Sequence, residues 1–134
     1  MKITNATDYA IRAIMYMAKN KEKKYFMRSE LSKECDIPDS FLGKILQSLK
    51  QSAILTSNRG KFGGYALSQN LEKITFYDII TAVEGDIYLN ECLSDDKFCS
   101  KAKECTVKGA LNEINKNLIK NLKDYSIQNL ILKM

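Results

Sequence analysis

The sequence predicts a mainly α fold with one short β-hairpin, and three observations lead to this prediction. Apolar residues recur every three or four positions in several segments, which is the spacing of amphipathic helices. The glycine-rich residues 58–64 separate two short segments with the composition of β-strands. A length of 134 residues is typical of one domain with a core of its own.

The first predicted helix covers residues 6–18. Its apolar face consists of Tyr9, Ala10, Ala13, Ile14 and Met17. Asp8 and Arg12 fall on the opposite face, where they are separated by one helical turn. The pattern predicts a helix that packs against the core along one side.

Two short helices joined by a tight turn follow. Ser29 is the predicted N-cap of the first, which carries Cys35 near its end, and Pro38 begins the second. Free cysteine behaves as a small apolar residue, so we predict that Cys35 is a buried core thiol. The apolar stripe of the second helix consists of Phe41, Leu42, Ile45, Leu46 and Leu49. Small polar and basic side chains on its other face indicate a helix-turn-helix.

Gly43 lies in the middle of the polar face of this second helix. A glycine inside a helix costs about 1 kcal/mol relative to alanine, so its presence needs a physical reason. Close approach of the helix to a groove of DNA would supply one.

A β-hairpin is predicted after the helix-turn-helix, with strands at residues 53–56 and 65–67. The intervening glycines do not follow the order of a phosphate-binding P-loop, and a strand rather than a helix comes next. The hairpin is therefore interpreted as a DNA-binding wing. Arg59 and Lys61 lie at its tip, and Arg59 can enter a minor groove.

Two more helices complete the predicted fold. Thr75 and Asp78 form a capping box at the start of one, which ends at Gly85. A long helix then carries apolar residues at spacings of three and four: Val107, Leu111, Ile114, Leu118, Leu122 and Tyr125. This helix is too long and exposed for one small domain, so we predict that it pairs with the same helix of a second copy in a homodimer.

The predicted units are a winged helix-turn-helix DNA-binding domain at residues 1–85, a cysteine-bearing loop at 86–106, and a dimerisation helix and C-terminal segment at 107–134.

Three cysteines, Cys92, Cys99 and Cys105, fall within that polar loop. Their spacing is too wide for a zinc knuckle or a redox pair, but a loop can bring three sulfur atoms to one centre. Thiolates without imidazole suit iron and sulfide better than zinc, and the chain has no histidine. The alternatives are three loop thiols without a common task, or a disulfide and one spare thiol.

The charge is distributed unevenly along the chain. Residues 1–67 hold twelve basic and six acidic residues, whereas residues 68–134 hold nine and ten. A basic N-terminal half suggests a surface for DNA or RNA, although an ordinary solvated surface is the alternative.

Without a signal peptide or a membrane-spanning run, the chain is expected in the cytoplasm, with no membrane partner. Without a histidine base or a C-x-x-C pair, catalysis and a small-molecule substrate are not expected.

Several segments together resemble the bacterial Rrf family of winged-helix transcriptional regulators. They are residues 1–4, residues 8–13, the wing residues 58–60 and 63–65, the residues 78–80 and 82–85, and the three cysteines. The resemblance covers almost the whole chain. It implies a homodimeric transcriptional regulator, usually a repressor, that binds a palindromic operator in double-stranded DNA.

The resemblance also implies which residues contact DNA. Ser40, Gly43 and Lys44 match the base-reading turn of the recognition helix, and Arg59 matches the wing arginine. Together with the residues from the pattern, the candidate DNA contacts are Arg28, Ser40, Gly43, Lys44, Gln47, Arg59 and Lys61. Other family members often have a larger polar residue where Gly43 stands, so a different operator is expected here.

For the cofactor, the resemblance implies an iron–sulfur cluster, [2Fe-2S] or [4Fe-4S], held by Cys92, Cys99 and Cys105 against the partner's DNA-binding domain. Members similar to IscR add a histidine after the third cysteine, which this chain lacks. In members similar to NsrR an aspartate of the first helix reaches the partner's cluster, and Asp8 stands at that place. The alternative for Asp8 is an ion pair with Arg12.

The cluster would sense iron–sulfur status, redox state or nitric oxide. The sequence is also compatible with two other functions. One is a cluster-free winged-helix repressor that is controlled by a partner protein or by thiol oxidation. The other is a small thiol oxidoreductase, which would need an exposed reactive cysteine beside a second one.

Overall fold

A computed structural model describes residues 2–61, 63–68, 70–95 and 104–133. In chain order the elements are α1 (Asn5–Lys19), α2 (Arg28–Cys35), α3 (Asp39–Gln51), β1 (Leu55–Asn58), β2 (Gly64–Leu67), α4 (Phe76–Glu84), a 3-10 helix (Glu91–Leu93), α5 (Thr106–Asp124) and α6 (Ile127–Leu132). The prediction of a mainly α fold with one hairpin is confirmed. Within the described ranges, no helix is both long and apolar enough to cross a membrane.

The core lies among α1, α3 and α4, which pack against one another. Helix α1 contributes Ala10, Ala13, Ile14 and Met17, and each of these is at most 2% exposed. Thr4 caps α1, since its hydroxyl accepts the backbone N–H of Thr7 at 3.3 Å. The predicted face of the first helix is therefore the face that builds the core.

Helices α2 and α3 form the predicted helix-turn-helix. Between them Asp36 adopts a left-handed conformation with φ of 53°. The hydroxyl of Ser32 donates a hydrogen bond to the Ile37 carbonyl at 2.6 Å, which helps to hold the turn. The predicted N-cap at Ser29 is wrong, because α2 already begins at Arg28 and Met27 occupies the cap position without a side-chain hydrogen bond.

Two side chains that were predicted to be buried are not fully buried. Phe41 is 51% exposed, since it lies in the first turn of α3 at the edge of the core, with its ring 5.9 Å from that of Tyr9. Cys35 ends α2 and is only partly buried, with its sulfur 3.9 Å from the Arg12 carbonyl oxygen. Burial raises the pKa of the Cys35 thiol.

The wing is an antiparallel pair in which Leu55 faces Leu67 and Asn58 faces Gly64. The first strand begins two residues later than predicted, because the Ile54 N–H still closes the end of α3 on the Leu49 carbonyl at 3.0 Å. Phe26 bridges to the other edge of β2 through Tyr65. Gly64 is needed where this bridge forms, since its φ is 138° and a Cβ would collide with the Phe26 carbonyl.

The C-terminal part leaves the core and returns to it. The capping box of Thr75 and Asp78 and the helix end at Gly85 are confirmed. After α5, the chain turns at Tyr125, and α6 packs against α1 with Ile127 fully buried. The Ile127 N–H donates to the Ile74 carbonyl at 2.8 Å. The C-terminal end of α5 is thereby attached to the core through α6.

Candidate nucleic-acid interface and cysteine site

One side of α3 faces solvent with polar side chains. Ser40, Lys44 and Gln47 are exposed, whereas Leu42, Ile45, Leu46 and Leu49 are buried in the core. A helix that is anchored by one face and polar on the other can enter a major groove of DNA. The geometry of α3 is therefore that of a recognition helix.

Arg28 joins the start of α2 to the start of α3. Its Nε donates to Asp39 Oδ1 at 2.9 Å, and its Nη2 donates to Asp39 Oδ2 at 2.7 Å. These hydrogen bonds raise the pKa of Arg28. The Arg28 guanidinium was predicted to contact DNA, and it lies on the exposed side of the helix-turn-helix already paired with a carboxylate.

The space above Gly43 is taken by the same guanidinium. A Cβ at Gly43 would lie 2.9 Å from Arg28 Nη1 and 3.1 Å from Arg28 Cζ. Both distances are shorter than ordinary van der Waals contact. Because residue 43 has no side chain, Arg28 can reach Asp39. This contact within the protein explains the glycine, and the sequence alone did not suggest it.

The wing carries two more cations. Arg59 and Lys61 follow β1 and are exposed. Because β1 follows directly from the end of α3, the wing and the recognition helix lie next to each other. This pair of elements is the arrangement by which a winged helix contacts two adjacent grooves.

The two described loop cysteines lie in the segment that precedes α5 and at its first cap position. Cys105 is the N-cap of α5, and its sulfur accepts the backbone N–H of Lys108 at 3.4 Å. Cys92 belongs to the 3-10 helix, which packs against α5. Both are free, partly buried thiols, and Cys99 lies outside the described residues. In the part of the chain that the structure describes, no group of three histidine, cysteine, aspartate or glutamate residues could hold a metal ion.

Asn115 holds the segment before Cys92 in place, and the sequence reasoning did not identify it. Its Nδ2 donates to the Ile87 carbonyl at 3.1 Å, and its Oδ1 accepts the Leu89 N–H at 2.9 Å. Asn115 is 5% exposed, and it is the one buried residue of α5. Its position four residues after Leu111 could have identified it, because that spacing places Asn115 next to Leu111 on the side of α5 that faces the rest of the chain.

Asp8 forms the ion pair that was one of its two predicted roles. The Asp8 carboxylate lies 2.6 Å from the Arg12 guanidinium, and both side chains are about half exposed. Arg12 also lies over the Tyr9 ring, 5.3 Å from its centroid. The other role, as a ligand to a cluster in a partner, stays a prediction.

Glu84 fastens the end of α4 to the start of α1. Partial burial raises the pKa of Glu84, but hydrogen bonds from Thr4 and Thr7 lower it by more, so its pKa lies below the ordinary value. The Thr7 hydroxyl donates to Glu84 Oε1 at 2.5 Å, and Thr7 itself is fully buried. These hydrogen bonds join α4 to α1 just before the segment that carries the loop cysteines.

Helix α5 exposes much of its apolar row. Val107 is 62% exposed and Ile114 is 54% exposed, while Leu111 and Leu118 are half-buried. Exposed apolar residues in a row along one helix are typical of an interaction surface.

These elements define the class of winged helix-turn-helix DNA-binding proteins, with α3 as recognition helix and the β1–β2 hairpin as wing. Comparison with known sequences is more specific. The family model Rrf2, described as an iron-dependent transcriptional regulator, matches residues 3–133. The chain belongs to the Rrf2 family. It is therefore a DNA-binding transcriptional regulator and not an enzyme.

Among known proteins, the chain is 30% identical to YffB of Lactococcus lactis subsp. lactis (strain IL1403), which is named as an HTH-type transcriptional regulator. That match covers 95% of this chain and 85% of the relative. The fold is similar to that of CymR, the global cysteine regulator of B. subtilis, with a TM-score of 0.79, 22% identity, and coverage of 100% and 98% of the two chains. It is also similar to that of T. potens IscR, with a TM-score of 0.78, 16% identity, and coverage of 99% and 88%.

Proposed function

We propose that this protein is a homodimeric repressor that binds a palindromic operator. In this proposal α3 enters the major groove with the turn of Ser40, Gly43 and Lys44 towards the bases. Gly43 lies beneath the Arg28 guanidinium there, and Gln47 lies one turn further along. Arg59 and Lys61 enter the adjacent minor groove, and Arg28 holds the two helices of the motif in register. The observation that carries the proposal is the exposed polar face of α3 next to the cationic wing.

The homodimer is supported by the apolar row of α5. Burying Val107 and Ile114 against the same residues of a second copy would remove apolar surface from water. Each Å² of apolar surface removed would stabilise the dimer by about 25 cal/mol. A twofold dimer would read both half-sites if its two recognition helices lay about 34 Å apart, which is one turn of the duplex. A palindromic operator follows from that symmetry.

The cofactor in this proposal is an iron–sulfur cluster held by Cys92, Cys99 and Cys105. Support comes from the two described thiols, which are free and precede α5 in the chain, with Cys99 between them in the sequence. Cys105 stands at the N-terminus of α5, where its sulfur accepts the backbone N–H of Lys108. When bound, the cluster supplies a reactive iron centre for sensing iron–sulfur status, redox state or nitric oxide. The family description as iron-dependent points the same way.

The cysteine loop would couple the cluster to DNA in this proposal. The units are the winged domain at residues 1–85, the loop at 86–106 and the dimerisation segment at 107–134. Ligation by the three cysteines orders the loop, and the ordered loop supports the spacing of the two recognition helices. A tenfold change in operator affinity requires only about 1.4 kcal/mol of such coupling. We propose that the loaded form binds the operator more tightly.

The DNA part of the proposal is tested with an operator selected by the protein from a pool of random duplexes. Lys44→Ala and Arg59→Ala are each expected to weaken operator binding by about 1–3 kcal/mol. Affinity falls with salt, because bound cations of the DNA are released. Lys116→Ala, an exposed lysine of α5, is the matched control and should leave affinity unchanged. Unchanged affinity in both of the first two variants would refute this interface.

The cofactor part is tested with protein purified without oxygen. Visible absorption and Mössbauer spectra report an iron–sulfur cluster and distinguish [2Fe-2S] from [4Fe-4S]. Operator affinity is then measured for loaded and stripped protein at one salt concentration. A colourless protein with full operator affinity would instead support a cluster-free repressor, controlled by a partner protein or by thiol oxidation.

A further inference from the structure

A cleft of about 400 Å³ lies between the recognition helix and the wing. The last two turns of α3 line it with Gln47, Lys50 and Gln51, and β2 lines it with Tyr65. The three residues of α3 are exposed, whereas Tyr65 is half-buried. Of these four residues only Gln47 belongs to the DNA contacts proposed above.

The cleft has the position that one strand of a bound duplex would need to occupy. The two grooves of B-DNA are separated by a sugar–phosphate strand. If α3 lies in the major groove and the wing lies in the neighbouring minor groove, that strand must pass between them. The space between α3 and the wing is the cleft.

The charge of the cleft suits a phosphodiester strand. None of its lining residues is acidic, and Asp39, the acidic residue of α3, lies in the first turn at the other end of the helix. The negative end of the α3 dipole would oppose a phosphate, but the chain caps it. Ser52, Ala53 and Ile54 donate their N–H groups to carbonyls of the last turn at 3.0–3.1 Å. Among these four lining residues, Lys50 is the charged one, and its charge is positive.

We infer that Lys50 and Tyr65 bind the phosphates of the strand that separates the two grooves. Lys50 supplies a cationic donor from α3, and the Tyr65 hydroxyl supplies a neutral donor from the wing. Gln47 and Gln51 line the same passage with amide donors. The contact is independent of base sequence and fixes how deeply α3 enters the major groove. This inference rests on the proposed DNA-binding mode and extends it to residues of the last turn of α3 and of β2.

The position of Tyr65 is well defined. The Phe26 N–H donates to the Tyr65 carbonyl, and the Tyr65 N–H donates to the Phe26 carbonyl, both at 2.8 Å. On the other side, Tyr65 faces Ser57 of β1. Because hydrogen bonds fix the Tyr65 backbone on both sides, less of this residue has to become ordered when DNA binds. This lowers the conformational entropy cost of the contact.

The test uses Lys50→Met, Tyr65→Phe and two probes of about 30 base pairs, roughly three turns of duplex. One probe is the selected operator and the other is an unrelated duplex. Lys50→Met should weaken binding to both probes and lower the slope of log K against log salt by about 1. Tyr65→Phe removes one hydroxyl and keeps the ring, so it should weaken both by about threefold to tenfold without changing the slope.

Controls separate failure of this inference from failure of the proposed function. Lys116→Met changes the same kind of side chain on α5 and should alter neither affinity nor slope. If Lys44→Ala and Arg59→Ala weaken operator binding while Lys50→Met and Tyr65→Phe do not, the strand does not pass through the cleft and the inference is overturned. If all four variants bind normally, the DNA-binding mode itself is wrong. A loss with Lys50→Met on the operator alone would overturn the phosphate assignment, because phosphate contacts act on every sequence.

Discussion

The Arg28 guanidinium lies directly over Gly43, so that a Cβ at position 43 would come within 2.9 Å of Arg28 Nη1. The same guanidinium donates two hydrogen bonds to the Asp39 carboxylate, at 2.7 and 2.9 Å, and a third to the Asp39 carbonyl at 3.0 Å. The missing side chain thus allows an ion pair to fasten the first turns of the two helices that make up the DNA-binding motif. Glycine in this helix serves the protein's own packing before any DNA is bound.

Gly43→Ala is expected to leave stability almost unchanged. The gain in helix propensity, about 1 kcal/mol, is offset by displacement of Arg28 from an exposed ion pair. The matched control is Gly109→Ala in α5, where a Cβ would meet nothing within 4 Å, so it should stabilise by about 0.5–1 kcal/mol. Urea unfolding measures both variants. In the background Arg28→Ala, Gly43→Ala should stabilise as Gly109→Ala does; no difference between backgrounds would show that the two residues are not coupled.

Asn115→Ala is expected to destabilise the protein by about 1–3 kcal/mol, because the Leu89 N–H and the Ile87 carbonyl lose their partner. Asn112→Ala on the exposed side of α5 is the control and should change stability by less than about 0.5 kcal/mol. Hydrogen exchange of residues 87–89 provides a local measurement. Equal exchange in Asn115→Ala and wild type would mean that the amide does not hold this segment.

Thr7→Val removes the hydroxyl that donates to Glu84 and should cost about 0.5–1.5 kcal/mol at neutral pH. The pKa of Glu84 is lowered in the folded protein, so its stabilising effect is complete above the ordinary glutamate pKa, about 4.3. This effect is lost as the pH falls through the lowered value. The stability difference between wild type and Thr7→Val should therefore shrink on acidification. Thr56→Val, on an exposed strand position, should show no such pH dependence.

Val107→Lys combined with Ile114→Lys should abolish the dimer and weaken operator binding, since a monomer engages only one half-site. Both side chains are more than half exposed in the single chain, so its own fold should remain. Sedimentation velocity measures the assembly and thermal unfolding checks the fold. Glu113→Lys adds the same two units of charge away from the apolar row and should remain dimeric. A wild-type protein that sediments as a monomer at micromolar concentration would contradict the proposed homodimer.

Replacing Cys92, Cys99 or Cys105 with alanine should remove the visible absorption of the cluster, whereas Cys35→Ala should retain it. Cys35 is the matched control because it lies at the end of α2 against the core, away from the loop. Asp8→Ala should keep the absorption but change its shape or hasten its loss on exposure to oxygen or nitric oxide. If Cys35→Ala also bleaches the protein, the ligand set must be revised.

Local patterns in the sequence determined most of the secondary structure. The spacing of Ala10, Ala13, Ile14 and Met17 predicted the buried face of α1, and the pair of Thr75 and Asp78 predicted the start of α4. Glycines at 60, 63 and 64 predicted the hairpin. Each of these features depends on residues within one or two turns of one another, so periodicity and capping chemistry reveal them.

Relationships between distant segments were decided only by the tertiary structure. Asn115 binds Ile87 across 28 positions, and Arg28 covers Gly43 from the preceding helix. Phe41 continues an apolar stripe in the sequence, yet it is 51% exposed because it lies at the edge of the core, next to the fully buried Leu42. Burial and hydrogen-bond partners depend on which elements come together in space. A pattern read along one segment does not contain that information.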